Sequence, residues 1–310
     1  MKHARFVFAF LLLFICVLPG GCAGTPPASI EPTPVFTPAP SPAQTQAASA
    51  IPVDWSNYFD GLNGTAVLYN PMGRQYSIYH PELADVRRSP CSTFKIVSSL
   101  IALEDGVLTP DDSVRRWSGE RFWNPDWNRD IDFSSAFRTS CVWYFRQLID
   151  DIGQPRMQQA LDALGYGNGD ISDWQGRLNT NNSNPALTGF WIESSLKISP
   201  REQVDVMARI FGDDSPYAPQ TREQLKQVML VSEPAPTDVL TIYGKTGMGK
   251  AEGVVVDAWF TGFAQMQAGP VYFCVYLGQT PDADVSSTKA KDIACRILTD
   301  LARTPAATQP

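Results

Sequence analysis

Residues 239–278 read VLTIYGKTGMGKAEGVVVDAWFTGFAQMQAGPVYFCVYLG, and the fold is decided there. The runs 239–246, 255–266 and 270–278 are rich in β-branched and aromatic residues, which predicts three successive strands. A helix is expected to follow over about 286–302. Far upstream, GTAVLYNP (64–71) and RQYSIYH (74–80) alternate around Pro71-Met72-Gly73 and read as a hairpin. Between these strand regions the pattern turns helical. In 92–104 the apolar positions Phe94, Ile96, Val97, Leu100, Ile101 and Leu103 cover most of the helix surface, as in a centrally buried helix that Gly106 ends. Further helices are expected at 139–152, 155–164, 200–211 and 220–231. Pro200 after Ser199 is a helix-start signal. The class is α+β, or three-layer α/β/α: an antiparallel sheet flanked by helices with an all-helical subdomain.

The ends of the chain have a different character. Lys2, His3 and Arg5 precede an apolar run from Phe6 to Leu18, followed by Gly20 and Gly21. Residues 1–21 therefore read as an export signal, too short to span a bilayer comfortably. Cys22 follows in a pattern that resembles a bacterial lipobox. The expectation is either a lipid anchor on Cys22, holding the protein to a membrane on its exterior or periplasmic side, or plain secretion. Residues 22–53 form a Pro-, Ala- and Thr-rich tether, 54–303 the catalytic domain, and 304–310 a disordered tail.

Composition removes several function classes. With 25 Lys+Arg against 32 Asp+Glu, the net charge is -7. No basic surplus exists to replace counterions on phosphates, so nucleic acid is not an expected partner. The two histidines, His3 and His80, cannot build a multi-His metal site. No CxxC spacing occurs, and no metal is expected. Cys274 and Cys295 read as buried hydrophobes. Cys91 and Cys141 each adjoin a motif serine, and whether they pair stays open. Oligomeric state is equally open.

Three short motifs carry chemistry. Ser92-Thr93-Phe94-Lys95 places a hydroxyl and an amine three residues apart, on one helical face. A serine nucleophile needs an adjacent base, and a lysine serves as one only when burial strips its proton. Ser140-Cys141-Val142 stands near a helix start, where a lone serine is ordinarily a cap. Lys245-Thr246-Gly247 ends a strand. It lines up an ammonium, a hydroxyl and a backbone that a ligand can approach closely. Each motif alone has a plain structural reading.

Their order is that of penicillin-recognising serine enzymes, and in detail the chain resembles class D β-lactamases over about 55–302. Ser92-Thr93-Phe94-Lys95, Ser140-Cys141-Val142 and Lys245-Thr246-Gly247 match that family's motifs. Tyr166-Gly167-Asn168 matches its YGN element. Phe190-Trp191-Ile192-Glu193 through Leu196-Lys197-Ile198-Ser199 is similar to its FWLE…LxIS stretch. Class A relatives carry SxN where this chain has Val142, so the glutamate-dependent chemistry of that class does not transfer.

The resemblance implies a fold, a ligand and roles. The ligand is a β-lactam, and the only cofactor-like need is CO2 or bicarbonate. In the family, CO2 adds to the motif lysine as a carbamate, here N6-carboxylysine at Lys95. Phe94, Val142 and Trp191 are expected to wall that pocket, and the Trp191 indole N–H to donate to the carbamate. Ser92 is the implied nucleophile, with the oxyanion held by the N–H groups of Ser92 and Met248. Ser140 is expected to relay a proton with Lys245. Lys245, Thr246 and Gly247 are expected to receive the substrate carboxylate, and Tyr166 to stand at the rim or be structural. The family's carboxylate-binding arginine is missing. Lys289 or Lys291 stands in its place, with Lys289 preferred, and a lysine clamps less directionally than an arginine fork. The connection between Tyr166 and Trp191 is long and Asn-rich, reshaping a rim of the site or forming a surface insertion. Two rival functions share the motifs: a penicillin sensor that stays acylated, and a peptidoglycan DD-peptidase.

Overall fold

The computed structural model describes residues 48–178, 183–232, 237 and 239–303, within a unit spanning Gln46–Pro310. The export signal, Cys22, the tether up to residue 47 and the tail 304–310 lie outside the described residues.

The strands are β1 (Ser49–Pro52), β2 (Gly64–Asn70), β3 (Gln75–Tyr79), β4 (Leu240–Ala251), β5 (Val254–Met266) and β6 (Gly269–Gly278). They form one sheet in the order β1-β3-β2-β6-β5-β4. All neighbours are antiparallel except β1, which runs parallel to β3. The C-terminal strands read as near-continuous apolar runs because the sheet is covered on both faces. In β6, Tyr272, Cys274 and Tyr276 enter one core and Phe273, Val275 and Leu277 the other. The register with β5 opposes Thr261 to Cys274 and Phe260 to Val275. Glu252 and Gly253 close the β4–β5 hairpin with positive φ at both positions, the twist that a tight two-residue turn requires.

The helices are α1 (Ser56–Phe59), α2 (Pro81–Ala84), α3 (Lys95–Glu104), α4 (Phe133–Arg138), α5 (Val142–Ile152), α6 (Gln154–Leu164), α7 (Pro200–Phe211), α8 (Pro219–Met229) and α9 (Ser287–Arg303). α9 covers one sheet face through Ile293, Ile297 and Leu298, each worth roughly 1.5–3 kcal/mol of burial. Helices α2 to α8 and the opposite face share a second core, in which α3 is buried along almost its whole length. α7 starts in a reciprocal cap, with Ser199 Oγ accepting from Glu202 N–H and Glu202 accepting from Ser199 N–H at 2.9 Å.

Four boundaries differ from the sequence reading. Residues 49–52, assigned to the tether, form β1, because the free edge of β3 offers backbone partners that an Ala/Pro-rich segment can take without a core of its own. The helix expected over 139–152 starts three residues later, and a further helix, α4, precedes it where none was expected. Asp132 caps α4 by accepting from Ser135 N–H at 2.8 Å, and Ser140 breaks the path at φ 59°, so α5 starts only at Val142. Ser92 lies in a 3-10 turn, Cys91–Phe94, and the α-helix begins at Lys95. β4 continues past 246 to Ala251, carried by its hairpin with β5.

Candidate active site

The 3-10 turn and the first turn of α3 bring the SxxK pair together. Lys95 Nζ donates to Ser92 Oγ at 2.9 Å. Lys95 is 1% exposed, and its ammonium sits 5.2 Å from the centre of the Phe145 ring. Burial pushes the amine down to about 8, against a weaker opposing pull from the Cys141 and Cys91 thiols. Desolvation dominates because no carboxylate stands among the groups that shift it. The turn is strained at Cys91, whose φ is 50°, and its N–H is tied to Trp191 O at 2.9 Å. Such strain is held in place by the surrounding contacts.

The second and third motifs meet across the molecule. Lys245 Nζ, from edge strand β4, donates to Ser140 Oγ at 2.6 Å and to Thr246 O at 3.1 Å. Lys245 is also buried, at 5% exposure. Its amine is held well below the usual lysine range by burial first, and then by the positive charge of nearby Lys95. The Phe137 ring lies 5.7 Å from it. Gly247 allows β4 to close on the serine turn: a Cβ there would come within 2.9 Å of both Pro90 O and Thr93 Cγ2. A register shift between Gly249 and Lys250 bends the strand just past the motif, as bulges beside functional sites do.

Ser92, Val142 and Met248 line one cavity of about 430 Å³, with Trp123, Trp127, Leu187, Ile192 and Glu193 completing an apolar wall with one carboxylate. Glu193 Oε1 accepts from Lys250 N–H at 2.7 Å and ties the far wall to β4. Trp191 is fully buried, and its indole N–H has no acceptor among the described groups. A buried indole donor ordinarily finds one. Its carbonyl, by contrast, accepts from both Cys91 N–H and Ser89 Oγ–H.

Of the two places expected for Tyr166 the structure shows the structural one, and the expected contact at Lys289 is corrected. Tyr166 is 1% exposed and packs edge-on against Phe94 with ring centres 5.5 Å apart. It supports the start of the lysine helix through Phe94. Lys289, in the first turn of α9, is exposed and donates to Asp284 O in the loop before the helix. Lys291, not Lys289, lines a second cavity of about 270 Å³ together with Lys245, Thr246, Phe137 and Arg138. The helical step settles this, since positions two apart lie on opposite sides of α9. The two cysteines beside the motif serines, Cys91 and Cys141, are separate buried thiols.

The sequence reading also missed residues. Phe137 and Phe145 supply the apolar surroundings of the two amines. Ser89 bridges the serine turn to the Trp191 segment, accepting from Glu193 N–H at 2.8 Å. Trp123 and Trp127, with rings 5.0 Å apart, line the cavity. Phe145, three residues beyond Val142 on an amphipathic helix, was within reach of a periodicity argument; Ser89 and Trp123 carried no local signal. Among the described residues no group of three or more His, Cys, Asp or Glu is placed to hold a metal.

Residues 64–299 match the penicillin binding protein transpeptidase domain family, and this chain belongs to it. The chain is 34% identical over 240 residues to the probable β-lactamase YbxI of Bacillus subtilis, covering 77% of this chain and 81% of that protein. It is 30% identical over 295 residues to the regulatory protein BlaR1 of Bacillus licheniformis, covering 93% of this chain but only 44% of BlaR1. A crystal structure of a class D β-lactamase from Bacillus subtilis superposes with a TM-score of 0.68 at 32% identity, covering 80% of this chain and 95% of that one. The fold is that of class D β-lactamases and penicillin-receptor domains.

Proposed function

We propose that the protein hydrolyses β-lactam antibiotics through an acyl-enzyme on Ser92. The observation that carries the reading is a dry Lys95 amine, down to about 8, within 2.9 Å of the Ser92 hydroxyl. A neutral amine is what carbon dioxide requires: the nitrogen adds to the carbon, an N–C bond forms and a proton leaves. Lys95 and the unsatisfied Trp191 N–H fit such a group, one as its attachment point and the other as a donor to its oxygens. When bound, that carbamate supplies a general base for both halves of the cycle.

The rest of the chemistry belongs to the chain. Ser92 Oγ gives its proton toward Lys95 and bonds to the lactam carbonyl carbon. The N–H groups of Ser92 and Met248 hold the developing oxyanion, a contribution on the order of 3 kcal/mol per donor. The lactam C–N bond breaks as Ser140 delivers a proton to the nitrogen, replenished through Lys245. Lys245, Thr246 and Lys291 meet the substrate carboxylate by charge-assisted hydrogen bonds. An export route ending at a membrane anchor on Cys22, or in secretion, brings such an enzyme to its substrates.

The sensor reading shares the acylation step, and the similarity to BlaR1 favours it. Val142 and the aromatic rings around Lys95 favour turnover, because apolar walls keep the amine able to act a second time. Nitrocefin hydrolysis with and without bicarbonate decides between them. Many turnovers, lost in Lys95→Ala and weakened by bicarbonate depletion, are expected; a single stoichiometric burst overturns the hydrolase in favour of the sensor.

A further inference from the structure

Arg146 on α5 is a buried cation away from the reacting groups. Its side chain is 7% exposed, and it lies between two indoles: the guanidinium carbon is 5.3 Å from the Trp174 ring centre and 5.5 Å from that of Trp191. Nη1 donates to Trp174 O at 2.7 Å, and Nε donates to Asp150 Oδ2 at 3.0 Å. Asp150 Oδ1 also accepts from Trp174 Nε1 at 3.1 Å. The Trp174 ring stacks on Phe190 at 5.1 Å, and Phe190 meets Trp191 edge-on at 5.2 Å. The long polar connection before Trp191 is thus pinned to α5 by the Arg146–Asp150 pair, and the Trp191 ring also stacks with Phe94 at 6.2 Å between centres.

We infer that Arg146 is a positioning residue for Trp191 and, through it, sets how tightly Lys95 holds carbon dioxide. This rests on the carbamate reading above. The guanidinium fork is itself fixed by two anchors, Asp150 and Trp174 O, that a point charge could not both reach, and so presents a flat cation to the Trp191 ring. A cation over an indole face also draws electron density from the ring, which makes the ring N–H a stronger donor to an anion. Of the two indoles beside Arg146, Trp174 donates to Asp150, and the Trp191 N–H lacks an acceptor among the described groups. Loss of Arg146 is therefore expected to weaken the hold on the carbamate while leaving Ser92, Ser140 and Lys245 in place.

The test is carbon-13 NMR of the full chain titrated with labelled bicarbonate, following the lysine carbamate signal, beside nitrocefin turnover over the same titration. In Arg146→Met the half-saturating bicarbonate is expected to rise about tenfold, the scale of one desolvated cation–π contact. Saturating bicarbonate is expected to return kcat to near the parent value. Arg146→Lys, which keeps charge but not the fork, is expected between the two and serves if the methionine variant fails to fold. A parent signal with unchanged half-saturation in the variants overturns this inference alone. A folded variant whose lost turnover no bicarbonate restores also overturns it, because the defect then lies in the reacting groups. Absence of any carbamate signal in the parent removes the reading at Lys95, and this inference with it.

Discussion

Lys245 Nζ and Ser140 Oγ are 2.6 Å apart, although 105 residues separate them in the chain. The contact joins the edge of the sheet to the turn ahead of α5. Both amines of the site are buried, and each touches a serine hydroxyl.

Removing that hydroxyl is expected to separate acylation from binding. Ser140→Ala should slow acylation by about 10²–10⁴-fold, the range for a positioned proton donor. Single-turnover kinetics with nitrocefin measures it. Acylation within about threefold of the parent excludes Ser140 from the proton path.

The pH dependence follows from the Lys95 amine. Its ordinary value is lowered to about 8, so the neutral form grows as pH rises through 8, and ammonium, which cannot add carbon dioxide, dominates below. The carbamate signal at fixed dissolved CO2 should therefore fall as pH is taken from about 9 to about 6. A signal that grows toward acid contradicts the assignment of the neutral amine as the reactive form.

Gly247→Ala is expected to destabilise the protein by about 1–3 kcal/mol, because the new methyl group meets a backbone oxygen and a buried threonine methyl that cannot both retreat. Urea unfolding measures the change. An unchanged midpoint would show that β4 can stand off the serine turn.

The tether boundary has its own test. A chain beginning at residue 54 lacks β1 and leaves the β3 edge unpaired. It should unfold at lower urea than a chain beginning at residue 48, by a few hydrogen bonds at about 1 kcal/mol each. Equal midpoints would return residues 49–52 to the tether.

Much of the fold was legible because its signals are local. Three β-rich runs between 239 and 278 and a capped Ser199-Pro200 start read directly into β4, β5, β6 and α7, since side-chain period and cap chemistry act within a few residues. β1 was not legible: nothing in Ser49-Ala50-Ile51-Pro52 announces a strand until a free sheet edge is beside it. α4, and the start of α5 only at Val142, escaped for a similar reason. Ser140 occupies a left-handed conformation that serine seldom adopts, held there by the packing of both helices.

At the site the division is just as physical. By itself the amino-acid order determined that Ser92 and Lys95 share one turn, that Val142 follows the second serine, and that Lys245, Thr246 and Gly247 stand together on a strand, because these relations span three residues or fewer. Tertiary structure alone decided that Lys245 reaches Ser140, that Lys291 rather than Lys289 borders the Lys245–Thr246 groove, and that Tyr166 is sealed behind Phe94. It also decided that Lys95 is dry. Solvent exclusion is a property of several surfaces meeting at once, and no short stretch of chain encodes it.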